Sequence, residues 1–127
     1  MNSDLIINET RRNELLEIQG RYCGGIERFS NLSVDILKIL IDEKFISLDE
    51  CQNCSPSTEQ FYNFLLEHPC FTAHGYAVSP ERNDYRITIE GIEGIPKTDK
   101  DALDFVNFAK RADELDCTDS NYFCWWD

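Results

Sequence analysis

The stretches Phe71-Thr72-Ala73-His74-Gly75-Tyr76-Ala77-Val78 and Tyr85-Arg86-Ile87-Thr88-Ile89-Glu90 both alternate in polarity. Ser79-Pro80-Glu81-Arg82-Asn83-Asp84 between them is a cluster of turn formers. A period of two on either side of such a cluster predicts an antiparallel hairpin over 71–92. Directly paired residues share a face, so the two apolar sets select the register. Pairs whose numbers sum to 164 set Ala77 against Ile87 and Gly75 against Ile89 on a core face. The same register sets Val78 against Arg86, Tyr76 against Thr88 and His74 against Glu90 on the other face.

Upstream the period lengthens to that of a helix. Asn8 or Thr10 opens a first helix that Gly20 ends near Gln19. Ser30 or Ser33 caps a second, running to Lys44, whose Val34, Ile36, Leu37, Leu40 and Ile41 form one broad apolar face. Ser47-Leu48-Asp49-Glu50 has the form of a capping box and predicts a short helix to Gln52. Ser57-Thr58-Glu59-Gln60 is a second box, with Pro56 beside it, and predicts a helix ending at Glu67 before Pro69. Residues 1–7 read as a loose arm.

Downstream, Gly91, Gly94 and Pro96 interrupt the chain. Thr98 caps a long last helix through Ala102, Phe105, Val106, Ala109 and Ala112 to about Leu115, with acids in its first turn. Residues 116–121 read as loop. Tyr122-Phe123-Cys124-Trp125-Trp126 reads as a third strand, because two indoles at a chain end are costly in water. The elements segregate, so the class is α+β. The expected form is a helical N-terminal half, a hairpin plus C-terminal strand forming a small sheet, and one long C-terminal helix packed on it. The order of elements over 31–92 resembles a winged-helix module. A DNA-reading version needs basic residues on its third helix. Residues 57–67 carry Glu59 and Glu67 and no Lys or Arg.

The 127 residues, 42% of them hydrophobic, suffice for one domain spanning the whole chain. No apolar run is long enough to span a bilayer. The start, Met1-Asn2-Ser3-Asp4, has no basic or apolar leader, so a cytoplasmic location is expected. Net charge is −12, and it is even: residues 1–50, 51–95 and 96–127 each carry −4. With no basic patch to neutralise phosphates, nucleic acid and anionic membrane surfaces are excluded as expected partners. A protein partner of basic character, or a second copy of the chain, fits better.

Six cysteines in a chain with no export leader read as reduced thiols. Cys51, Cys54, Cys70 and His74 have an acceptable zinc spacing, C-x2-C-x15-C-x3-H, and define one alternative reading. Against it, the interval holds an amphipathic helix and His74 falls on a strand. A second alternative is an enzyme using His74 and Glu90 as an acid–base pair. The chain has no G-x-S-x-G, no phosphate-binding glycine loop and no H-E-x-x-H, and no cofactor is implied. The leading expectation is a non-catalytic interaction protein, of immunity, antitoxin or adaptor type. Its candidate contact residues are Tyr76, Arg86, Tyr122, Trp125 and Trp126. Trp125 and Trp126, being adjacent on a strand, must point to opposite faces.

Overall fold

A computed structural model describes residues 5–127. Its elements, in chain order, are α1 (Glu9–Leu16), β1 (Ile26–Leu32), α2 (Val34–Asp42), α3 (Thr58–Glu67), β2 (Phe71–Val78), β3 (Ile87–Gly94), α4 (Asp99–Ala109), β4 (Glu114–Cys117) and β5 (Tyr122–Trp125). The strands form one antiparallel sheet in the order β1-β2-β3-β5-β4. The class is α+β. Among the described residues, none of the four helices is long and apolar enough to cross a membrane.

Local signals place the helices. Asn8, Ser33, Ser57 and Thr98 each accept a backbone N–H at a helix start. Ser57 with Gln60, and Thr98 with Asp101, complete reciprocal capping boxes. The core lies between one sheet face and the helices. Phe64 of α3 stacks on Phe108 beyond the middle of α4 at 4.5 Å, and Phe105 meets Phe71 of β2 at 4.9 Å and Tyr122 of β5 at 5.5 Å. Trp126 closes this layer edge-on to Phe61 and Phe108.

Polar groups fasten the helices as well. His68, buried at the end of α3, places Nδ1 2.6 Å from Asp101 and Nε2 3.0 Å from Asp104. Both ring nitrogens thus face carboxylates of α4, and His68 clamps α3 to α4. The His68 hydrogen bond is the largest of the effects that hold the Asp101 carboxyl down at about 2. Arg12 is wholly buried. It donates to the Val78 carbonyl at 2.7 Å and to the Tyr22 hydroxyl at 2.7 Å, and Tyr22 donates on to Glu9 at 2.6 Å. A guanidinium that left water is thus met by an acceptor and a relayed carboxylate.

Several expectations are corrected. The N-terminal half is not all helical: β1 occupies 26–32 and pairs with β2. Helix α1 stops at Leu16, where Glu17 turns left-handed, before Gly20 is reached. Residues 47–52 form turns, so the three helices expected in 31–92 are two. Glu50 does not close a capping box, because its carboxylate is drawn to Thr88 and Arg86. The long C-terminal helix is absent. α4 ends at Ala109, and 114–117 instead pair with β5. The hairpin register holds for Ala77, Tyr76 and Gly75 against Ile87, Thr88 and Ile89. It then slips by one residue, so His74 pairs with Gly91 and Glu90 is left as a bulge. β3 runs on through Gly91 to Gly94 rather than breaking there. Of the expected loose arm, 1–4 lie outside the described residues, while Ile6 donates its amide to the Lys44 carbonyl at 2.9 Å.

Candidate functional site

The sheet face away from the core carries a polar and aromatic layer, and strand parity dictates its membership. Arg28, Tyr76 and Thr88 form one row across β1, β2 and β3. His74, Gly91 and Trp125 form the next, across β2, β3 and β5. Thr72, Glu93 and Phe123 form a third, which Asp116 of β4 extends, and Glu114 of β4 lies beside Trp125.

Two hydrogen-bonded sets hold these side chains. In the first, the bulge turns the Glu90 carboxylate into the layer, where its side chain is 3% exposed. It accepts from the Arg28 guanidinium, whose own side chain is 63% exposed, and from the Trp125 indole N–H at 3.2 Å. A buried carboxylate thereby fixes an exposed cation and a half-exposed indole at once. In the second set, Arg86 donates to the Tyr76 hydroxyl at 2.8 Å and to Thr88 at 2.9 Å. Tyr76 in turn donates to Gln52 at 3.0 Å, and Glu50 stands 3.3 Å from Arg86. The loop 47–56 therefore serves as a brace for this face. Burial raises the Glu50 carboxyl above its ordinary value, against the pull of Arg86.

His74 lies flat between the sets. Its Nε2 donates to the Cys124 carbonyl at 3.0 Å, and its ring stacks on Phe123 at 4.9 Å and 4°. To reach β5 it must cross β3, and Gly91 is the residue it crosses. A Cβ on Gly91 would stand 2.7 Å from His74 Nε2 and 1.9 Å from the Cys124 oxygen. Burial pushes the imidazole below its ordinary value, so it stays neutral and serves as a fixed donor. A shallow groove of about 520 Å³ opens beside it, lined in part by Arg28, Asn31, Glu93 and Phe123.

The expected contact residues divide between the two faces. Tyr76, Arg86 and Trp125 belong to this outer layer. Tyr122 and Trp126 belong to the core face, Tyr122 against Phe105 and Trp126 at 3% exposure against Phe61 and Phe108. The bulge separates the His74–Glu90 pair: His74 bonds to a carbonyl and Glu90 to Arg28 and Trp125. The structure does not bring Cys51, Cys54, Cys70 and His74 together. Cys51 and Cys54 are exposed on the loop 47–56, and Cys70 is half-buried just before β2. Among the described residues, the one group of three possible ligands within 4.8 Å is Glu67, His68 and Asp104. There the Lys100 ammonium already lies 2.7 Å from Asp104 and 3.7 Å from Glu67.

Arg28 and the bulge that joins it to Glu90 were not legible in the sequence, where Glu90 stood as a candidate only opposite His74. Apolar residues in 26–32 recur every third position, at Ile26, Phe29 and Leu32, which is not the period of a strand, so β1 carried no clear local signal. No model of a known protein family matches the chain, no curated protein matches its sequence, and no solved structure matches its fold.

Proposed function

We propose that this protein is a non-catalytic protein–protein interaction module, of adaptor, immunity or antitoxin type, whose partner docks on the outer sheet face. One observation carries this reading. Arg28, Tyr76, Arg86 and Trp125 share that face, and each is already held by a side-chain hydrogen bond. Trp, Tyr and Arg are the residue types that most often dominate binding energy at interfaces. Fixing them before association lowers the ordering cost of binding. Glu93, Glu114 and Asp116 flank Phe123 and Trp125, which favours a partner with basic side chains.

The test is affinity capture from source cells with the wild-type chain, a Tyr76→Ala/Trp125→Ala variant and an Arg11→Ala control. Arg11 pairs with Glu43 away from this face. Circular dichroism verifies each fold, and any captured protein is then purified and its binding measured by calorimetry. The expected partner binds wild type and control and is weakened about 100-fold or more by the double variant. Equal binding to all three would remove the outer face from the interaction.

A further inference from the structure

We propose that the free edge of β4 is the docking site for an extended protein segment in which basic and apolar residues alternate. This rests on the interaction-module reading and names the partner's chemistry. Among the described residues, β4 pairs on one side only, with β5, and stands last in the sheet. The hairpin between them closes with the Thr118 amide donating to the Asn121 carbonyl at 3.0 Å. Antiparallel ladders alternate, so Asp116 with Phe123 and Glu114 with Trp125 exchange the next inward bonds. Leu115 and Cys117 therefore turn their main-chain N–H and C=O outward, the template that an added strand uses.

The side chains specify what that strand must carry. Leu115 pairs with Cys124 and Cys117 with Tyr122, so both are on the core face of the sheet. Yet Leu115 is 41% exposed, so an incoming apolar side chain beside it gains cover from an apolar surface left open at the edge. On the other face, Glu114 and Asp116 alternate with these positions and make no side-chain ion pair among the described residues. A strand presenting Lys or Arg there gains two cross-strand charge pairs. A second copy of the chain fits poorly. Setting Leu115 against its own mate keeps the core faces aligned, but it sets Glu114 against Asp116 twice, acid on acid.

The test uses the full chain and a capped hexapeptide of alternating lysine and valine. Amide hydrogen exchange is followed by NMR. At saturation, exchange at Leu115 and Cys117 is expected to slow by about tenfold or more, while Glu114 and Asp116, already bonded to β5, change little. Binding is expected to weaken with added salt. The Glu114→Lys/Asp116→Lys variant should lose the lysine–valine peptide and gain an aspartate–valine peptide. Slowed exchange at Tyr76 or Trp125 instead of at β4, or no slowing, overturns the edge assignment. So does a concentration-dependent dimer in sedimentation that protects Leu115 and Cys117 without peptide. A captured partner that needs Tyr76 and Trp125 but ignores the charge reversal leaves the interaction reading standing and ends this one.

Discussion

Gly91→Ala is a substitution whose sign separates two views of the central strand. At a permissive site, replacing glycine with alanine stabilises a protein by about 0.4–1 kcal/mol, because the unfolded chain loses freedom. Gly91 does not have a left-handed φ, so backbone strain gives no reason to avoid alanine there. Space does. The new Cβ would stand 1.9 Å from the Cys124 carbonyl oxygen and 2.7 Å from His74 Nε2. Both distances fall well inside the ~3.5 Å of ordinary contact. Relieving the first requires β3 and β5 to move apart, an overpacking cost of about 1–3 kcal/mol. Relieving the second swings the imidazole away. That loses its bond to Cys124, about 1 kcal/mol, and its stack on Phe123, about 1 kcal/mol. The expected total is about 3–5 kcal/mol, or roughly 10–20 °C in melting temperature for a domain of this size. Urea unfolding followed by tryptophan fluorescence measures it. His74→Ala alone should cost about 2 kcal/mol. The double variant should remain less stable than His74→Ala, because the tighter contact is with backbone. A Gly91→Ala protein as stable as wild type, or a double variant restored to the level of His74→Ala, refutes the reasoning.

Three further outcomes are expected. Because burial lowers the His74 value below its ordinary 6.5, the unfolded chain takes up that proton first. The stability from His74 is therefore complete above about pH 6.5 and declines as pH falls toward the lowered value. In denaturation at intervals from pH 7.5 to 5, His74→Gln should flatten this slope, and an unchanged slope counts against a neutral buried imidazole. Trp126→Ala should cost about 3–5 kcal/mol and Trp125→Ala about 1–2 kcal/mol, since Trp126 is in the core and Trp125 on the outer layer. The reverse order in urea melts would invert the two faces. Arg28→Ala, which leaves a buried carboxylate with Trp125 as its remaining partner, should cost about 1–3 kcal/mol. Glu90→Gln, which leaves a mostly solvated Arg28, should cost less, about 1 kcal/mol. Equal or opposite ranking in thermal melts would show that Glu90 is not the buried member of the pair.

Some of this protein was determined by its sequence alone. Helix starts at Ser57 and Thr98 were readable, and those at Asn8 and Ser33 to within one alternative each, because a cap is settled within four residues by a side-chain oxygen and a nearby amide. The near half of the β2–β3 register was readable because the turn and the apolar alternation both specify it. The opposite facing of Trp125 and Trp126 followed from strand parity, although which of the two enters the core did not. Tertiary structure decided the rest, and each time a distant partner outweighed a local preference. Glu50 leaves its capping box for Arg86 and Thr88, and the predicted short helix becomes a brace. Glu114 and Leu115 leave the expected helix, and Asp116 and Cys117 the expected loop, because β5 offers them a ladder. Glu90 bulges where β3 must pass Gly91 beneath His74, and the residue thus displaced joins Arg28 to Trp125. These three choices compose the outer face and the open edge of β4. A helix cap or a turn could not signal them, because the energy that settles each comes from a residue at least five and as many as 62 positions away.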